Sequence, residues 1–474
     1  MARRNETFID SFRTKPLLER LAEANNPEKI FFIVFLIVIV AGSVILYLPV
    51  SNNGRPAPYI DNLFVACSAV CVTGLSTVTA ATQYSVFGKL IMILLMQIGG
   101  LGPMTIIAII YQRNRKRMAT TEKKLFAAGS GKSDLYDVPA YIRRIIFFTV
   151  MFELAGFALL SLRLLTLYET GTGFFNALFL SVSAFTNAGF DTIGSQSLVG
   201  FAGDPLINFT VMMLIITGGL GFVVWFELYD LIKASFKTGN VVRRKRRKLS
   251  VHASVVVRTT VILLISGMLL FMLTEAVNPA TLKNEDGGVK LLISLFQSVT
   301  LRTAGFATVN IGSCTRPMLL IMCIYMLIGG SPGGTAGGMK TTTAAVLFRS
   351  AVNTLDNEHE DAVIRWRRVS PALLKQAFVI LFLYVMTLIA ALILLTLAEP
   401  ATELLPLMFE AISAIATVGI SMGITASLSP AGKLIIMVLM FVGRLGPLSV
   451  YLAFHKAKKP NNHVTYPDAA IIIG

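Results

Sequence analysis

The sequence predicts an all-α polytopic membrane protein made of four tandem repeats, each a helix, a half-length re-entrant helix, a loop and a second helix. Three observations carry the prediction. Hydrophobic residues make up 54% of the 474, too many for a chain with an ordinary water-facing surface. Apolar runs long enough to cross a bilayer, such as the 19 residues from Ile30 to Leu48, alternate with runs too brief to do so, such as Leu404 to Ala414. Each brief run leads into a small residue and a lone glycine: Val72-Thr73-Gly74-Leu75, Asn187-Ala188-Gly189-Phe190, Thr303-Ala304-Gly305-Phe306 and Thr417-Val418-Gly419-Ile420. The intervals between these glycines are 115, 116 and 114 residues, a period that implies a fourfold internal repeat. The expected architecture has eight membrane-crossing segments and four re-entrant half-helices around a pseudo-fourfold central pore.

Each element follows from local composition. Residues 1–29 read as a short cytoplasmic segment. Repeat 1, residues 30–110, starts with the Ile30 to Leu48 run, which has no cleavage-site pattern after it and is expected as an anchor. A loop rich in Gly and Pro leads to a half-helix near 59–70, the Val72 to Gly74 loop and a return helix near 87–110. Repeat 2, residues 145–232, has helices near 145–167, 174–186 and 206–232. Glu153 and Arg163 fall inside the first of these, where ionisable groups face protein or water, and a structural pairing is expected. Repeat 3 spans 255–348, with helices near 255–273 and 289–300. Repeat 4, 377–455, has helices near 377–397 and 434–454 and a half-helix carrying Glu403 and Glu410. Cytoplasmic connections fill 111–144, 233–254 and 349–376, and 456–474 form a tail. Three return helices share a glycine pattern that permits close approach or a bend: Ile98-Gly99-Gly100-Leu101-Gly102-Pro103, Thr217-Gly218-Gly219-Leu220-Gly221-Phe222 and Val442-Gly443-Arg444-Leu445-Gly446-Pro447.

The third return segment departs from the pattern. After the apolar run Met318 to Ile328 the chain reads Gly329-Gly330-Ser331-Pro332-Gly333-Gly334-Thr335-Ala336-Gly337-Gly338-Met339-Lys340-Thr341-Thr342-Thr343. No helix continues through that composition. Its place, half a span from the outer face, puts irregular backbone on the cytoplasmic side of the glycine loop, where it must line an aqueous path and is a candidate gate. The stretch nearly matches a phosphate-binding loop, but Met339 separates Gly338 from Lys340 and no βα unit surrounds it. Lys340 is instead a candidate for holding the loop closed.

The glycine loops have a chemistry of their own. A half-helix that stops inside the membrane aims its negative C-terminal end at the centre, and extended residues beyond it can turn carbonyl oxygens inward, which makes a site for a monovalent cation. Exposed backbone at that depth is tolerated only inside protein or against water, so four such loops must converge. Glycine permits the backbone angles and the close approach. Small residues also pack membrane helices, but four copies in register exceed what packing alone requires. The candidate cation ligands are the backbone groups of Val72, Thr73, Gly74, Asn187, Ala188, Gly189, Thr303, Ala304, Gly305, Thr417, Val418 and Gly419, with Asp191 at the outer mouth.

The formal net charge of +16 is concentrated rather than spread. Most Lys and Arg fall before Ile30, between Gln112 and Arg144, between Lys233 and Arg258, between Arg349 and Lys375 and after Phe454. By the positive-inside rule both termini are cytoplasmic, and nucleic acid is not the expected partner. The run Arg243 to Lys248 suits topology or anionic lipid. Four cysteines have no zinc-like spacing, and His252, His359, His455 and His463 form no catalytic cluster, so no enzyme is expected.

The loops Arg302-Thr303-Ala304-Gly305-Phe306 and Asn187-Ala188-Gly189-Phe190-Asp191, within four one-glycine repeats, resemble the Trk/Ktr/HKT superfamily of potassium transporters over essentially the whole chain. The chain is most similar to the Ktr-type membrane subunit, because only a short polar segment precedes the first repeat where TrkH-type subunits carry a further helical pair. The resemblance implies potassium selectivity when all four glycines are present; relatives with Ser at the first go with sodium transport. It also implies an intramembrane gate loop, here Gly329, Gly330, Ser331, Gly333, Gly334, Thr335, Gly337, Gly338 and Lys340, with Arg444 beside it as an electrostatic barrier. A homodimer and a cytosolic ring of RCK-type, KtrA-like subunits binding ATP, ADP or another nucleotide are implied too. The longest cytoplasmic connection is too short to hold such a domain itself. Sodium remains a second candidate ion, and the alternative mechanism is a sodium-coupled symporter with alternating access. A pairing of Arg302 with Glu410 across repeats is a further expectation.

Overall fold

The computed structural model describes residues 27–113, 138–194, 196–237, 249–356, 363–365 and 367–455. Most of the N-terminal segment and of the 111–144 connection, the basic run 243–248, the tail, His359 and His463 lie outside the described residues. The elements run α1 Pro27–Tyr47, α2 Tyr59–Cys71, α3 Ala80–Gln83, α4 Val86–Arg113, α5 Val138–Leu167, α6 Thr170–Thr186, α7 Pro205–Gly219, α8 Phe222–Lys237, α9 Val251–Glu275, α10 Gly287–Thr300, α11 Arg316–Leu327, α12 Thr341–Asp356, β1 Val363–Ile364, β2 Arg367–Arg368, α13 Pro371–Ala398, α14 Leu404–Ile415, α15 Pro430–Leu445 and α16 Pro447–Phe454.

Helices α1, α5, α9 and α13 are each long and apolar enough to cross a membrane. They turn large apolar side chains outward, including Leu36, Val40 and Val44 on α1 and Phe382, Ile389 and Ile393 on α13, the arrangement that suits hydrocarbon as the solvent. Each packs on the short helix that follows it: α1 on α2, α5 on α6, α9 on α10 and α13 on α14. These short helices are buried along most of their length, polar residues included.

Return segments close the arrangement into a ring. Helix α4 packs on α6, α7 on α10, α11 on α14 and α15 back on α2, so each unit leans on the next and the fourth meets the first. A half-buried ion pair, Lys433 Nζ to Asp61 Oδ1 at 2.7 Å, joins α15 to α2 across that last seam. Glycine makes the approach feasible. A methyl group on Gly99, Gly218 or Gly443 would run into the carbonyl oxygen of Val70, Phe185 or Ile415, in each case at the end of the short helix of the same unit.

Two expected single helices are broken. The segment expected as one helix over 206–232 is α7 and α8, bent by 102°, and the one over 434–454 is α15 and α16, bent by 93°. Helix α4 kinks at Gly102. All three breaks fall on the last glycine of the shared pattern, with φ of +77° at Gly102, +89° at Gly221 and +85° at Gly446. Such angles are open to glycine and strained for other residues. The pattern thus encodes a bend as well as a packing face. Counting each bent pair once, six candidate crossings result among the described residues, against the eight expected; α4 is interrupted and α11 is too short.

Seating of the return helices is testable through one substitution. Gly443→Ala, which forces α15 away from Ile415, is expected to lower stability by about 1–3 kcal/mol, whereas Gly171→Ala, with open space at its Cβ, is expected to change it by less than about 0.5 kcal/mol. Thermal unfolding of the purified variants in detergent measures both.

Candidate functional site

The four glycine loops meet. At or just beyond the end of its short helix each passes through a residue of positive φ: Val72 at 56°, Asn187 at 61°, Thr303 at 62° and Thr417 at 53°. Two residues later each reaches its glycine, with φ of 100° at Gly74, 73° at Gly189, 82° at Gly305 and 89° at Gly419. No other pattern of backbone angles recurs so regularly along the described residues.

Packing between loops is backbone against backbone. A Cβ on Gly74 would lie 2.7 Å from the Ala188 carbonyl oxygen, one on Gly189 2.7 Å from that of Ala304, and one on Gly305 2.9 Å from that of Val418. On Gly419 it would collide with the carbonyl of Thr73. The carbonyls of Thr73, Ala188, Ala304 and Val418 therefore form a closed ring, and each glycine leaves room for its neighbour's oxygen. Within each loop, a backbone N–H group returns to the short helix: Thr73 to Ser68 O, Ala188 to Ser183 O, Ala304 to Thr300 O and Val418 to Ser413 O. Donors thus point back into the scaffold. The buried hydroxyls of Thr73, Thr303 and Thr417 have no protein partner, which leaves oxygen ligands over for a dehydrated cation.

On one side the ring opens into a cavity of about 470 Å³ lined by Gly74, Gly189, Gly305, Gly419 and Asp191. Asp191 accepts hydrogen bonds from the N–H groups of Ile193 and Gly194. Burial pushes its carboxyl up to about 6 against those donors, which pull it down.

The 329–343 segment packs against the loops at Asn187, Ala416 and Thr417. Its ends meet, with Gly329 N–H donating to Met339 O at 2.9 Å, Thr341 N–H to Gly330 O at 3.1 Å, and the Ser331 and Thr341 hydroxyls 3.0 Å apart. Ser331 N–H bonds Gly219 O, Thr335 N–H bonds Gly218 O, and Phe222 N–H bonds Gly333 O, so the bend between α7 and α8 holds the segment. The Thr335 hydroxyl donates to Phe185 O at 3.1 Å and Asn187 Oδ1 at 3.3 Å. A methyl on Gly337 would strike the Thr417 hydroxyl, and one on Gly338 would lie 3.0 Å from Ala416 O. Gly330 and Gly334 press on Ala336 and on the α7 end. Lys340 Nζ donates to Ala336 O at 2.8 Å, so this ammonium sits inside the segment's own fold. Arg444 reaches it from α15: Nη1 donates to Thr335 O and Nη2 to the carbonyls of Gly99 and Gly100. One side chain thus joins the first, third and fourth units.

Several expectations change. Arg302 and Glu410 do not pair. Glu410 accepts from the Ser421 and Thr425 hydroxyls, whereas Arg302 is buried with Nε and Nη2 unpartnered. Glu153 and Arg163 do not pair with each other either: Glu153 meets Gln97 and Arg163 meets Asp204 at 2.5 Å. Gly333 makes its contribution through its carbonyl, at φ of 72°.

Sequence reasoning missed one set of residues. A polar side chain in each short helix ties the segment beyond its glycine: Asn62 to Tyr84, Asn176 to Thr192, Gln297 to Thr308, and Glu410 to Ser421 and Thr425. They occupy different positions along their helices, among other polar residues, so no repeat alignment reveals them.

The model of the TrkH family, described as cation transport protein, matches residues 19–465. The Ktr system potassium uptake protein B of Bacillus subtilis is 35% identical over 95% of this chain and 97% of its own length, and that of Vibrio alginolyticus is 37% identical over 96% of each. The potassium/sodium uptake protein NtpJ of Enterococcus hirae is 31% identical over 96% of this chain and 99% of its own. The crystal structure of the potassium transporter TrkH from Vibrio parahaemolyticus shares the fold, with a TM-score of 0.72 at 16% identity, covering 91% of this chain and 85% of that one. With its ring of glycine loops, its bent return helices and a match along nearly its full length, the chain belongs to the TrkH family of cation transport proteins.

Proposed function

We propose that the chain is the ion-translocating subunit of a Ktr-type potassium uptake system in the cell membrane, conducting as a channel through the axis of the four loops. The observation that carries this reading is the closed ring of Thr73, Ala188, Ala304 and Val418 carbonyls, each seated against the glycine of the neighbouring loop. Carbonyl dipoles at the ends of four buried half-helices replace the hydration shell of a monovalent cation and leave no place for an anion. The names of the relatives supply the ion: potassium in the Ktr proteins, potassium and sodium in NtpJ.

On this reading the 470 Å³ cavity is the outer vestibule, where Asp191 raises the local cation concentration. The 329–343 segment is the gate. It packs against the loops from beneath, and the positive charge of Arg444, with Lys340 bonded inside the segment, opposes a cation there. Opening requires that Arg444 exchange its hold on Thr335 while Gly99 and Gly100 stay bonded, or release all three together. A cytosolic nucleotide-binding partner of the RCK type, acting on the cytoplasmic loops, would shift that balance; the word "system" in the relatives' names supports a second component. A homodimer of such subunits, cytoplasmic termini and anionic-lipid contacts at the basic connections complete the proposal. Carrier-type symport with alternating access is less well supported, because its midplane sites sit between inverted halves, whereas here one unit recurs four times in ring order.

Two substitutions test the reading by tracer flux into liposomes. Gly305→Ser places an atom against the Val418 carbonyl at a backbone angle that serine adopts poorly, and the potassium-over-sodium flux ratio is expected to fall about tenfold or more, equivalent to about 1.4 kcal/mol. Preserved selectivity would sink the filter assignment. Arg444→Gln removes the charged tie to Thr335 and is expected to raise basal potassium flux severalfold without changing the ion ratio. A loss of ion preference in that variant would mean that Arg444 belongs to the filter rather than the gate.

A further inference from the structure

Midway along α5, at the depth of the bilayer, stands a carboxyl group that the proposed conduction path does not use. Glu153 is buried, and its two oxygens lie 2.6 and 2.7 Å from Gln97 Nε2 on α4. Its own carbonyl accepts the Ser181 hydroxyl of α6 at 2.7 Å. Among the described residues no Lys or Arg is bonded to it. Helices α6 and α7, which pack against α5, carry no charged residue along their lengths. On the described part of α4 the charged group is Lys89, whose Nζ donates to Ala81 O near the outer end. Arg163 is engaged by Asp204 at one end of α5 and Arg144 by Asp230 at the other. Tyr141 lies against Phe226 on the Arg144 side.

A single amide is poor compensation for a full negative charge removed from water, which is stable only with a counter-charge. Oxygens for one are present. Gln97 Oε1 and Thr149 Oγ1 are both buried without a partner, and Thr149 lies one helical turn before Glu153 on the same face of α5. A half-turn of the Gln97 amide, whose two ends are nearly isosteric, brings its oxygen to the carboxyl group.

We propose that Glu153, with Gln97 and Thr149, binds a monovalent cation, an alkali ion or a proton, at a site off the conduction axis that sets the gate. The coupling path is short. Gln97 is two residues from Gly99, and the carbonyls of Gly99 and Gly100 hold Arg444, which in turn holds Thr335. A change in how Gln97 is drawn toward α5 moves those carbonyls just before the Gly102 kink. Two arrangements of one element, biased by a ligand, are what such coupling requires. The link to flux rests on the gate reading above; the binding itself does not.

Glu153→Gln is the test, since the amide stands in for the neutralised carboxyl. Two arms separate the ions: sodium replaced by choline at fixed pH, and pH varied without sodium. Each arm reads thermal unfolding of the purified chain and potassium flux into liposomes. In one arm the wild type is expected to change both stability and flux, the latter about fivefold or more. E153Q is expected to be flat in that arm, with its flux fixed at the level that the wild type reaches at saturating cation. Identical responses in E153Q and wild type, a wild type indifferent to both ions, or an E153Q chain with no flux in any condition would each overturn the proposal. A response in unfolding without one in flux would overturn the coupling to the gate. Because selectivity is not the readout, none of these outcomes bears on the glycine ring.

Discussion

Backbone polar groups at membrane depth must find partners, and the whole arrangement depends on how that constraint is met at the four glycine loops. Helices and closed barrels normally satisfy it alone. Here four short helices end inside the protein, and each hands its chain to a loop whose N–H groups fold back onto the helix while one carbonyl faces the neighbouring loop. Those four carbonyls sit against the glycines of the neighbouring loops, and on the reading proposed above a cation lies among them. Everything else serves to hold them there: the ring of return helices, the glycines that seat those helices against the short-helix ends, and the polar side chains that tie down the segments beyond the ring.

Fourfold order is broken on one side only. Three units end in a return helix bent at a glycine, while the third ends in the 329–343 segment, which closes on itself and is bonded to the bend of the second unit. Arg444 stands where its counterparts in the first and second units have glycine, Gly100 and Gly219, and its guanidinium spans three of the four units. A guanidinium presents several donors in a fixed fork, so one residue can satisfy carbonyls from separate elements. Rearranging it would disturb all of them at once, a property suited to a two-position gate. Lys340, bonded to Ala336 within the same segment, adds charge without adding a tie to other units.

The short apolar helices and the break near Ile328 are legible from the chain itself, because each rests on composition: brief apolar runs, and a segment too rich in glycine for any helix. Bends at Gly221 and Gly446 are not, since a glycine that packs a helix and one that ends it look alike until its φ is known. Pairing of charges failed for a similar reason. Glu410 had a basic neighbour one loop away in the sequence pattern, yet hydroxyls from its own loop, Ser421 and Thr425, reached it first, and local partners cost less order than distant ones. Arg163 likewise took Asp204, which caps the neighbouring helix α7, rather than Glu153.

The most direct measurement is the ratio of potassium to sodium flux into liposomes that contain the purified chain alone, each ion driven by its own gradient. A ring of four carbonyls within a single chain predicts potassium-selective flux without any partner protein. Equal passage of the two ions, in the wild type or in the Arg444→Gln variant, would contradict it.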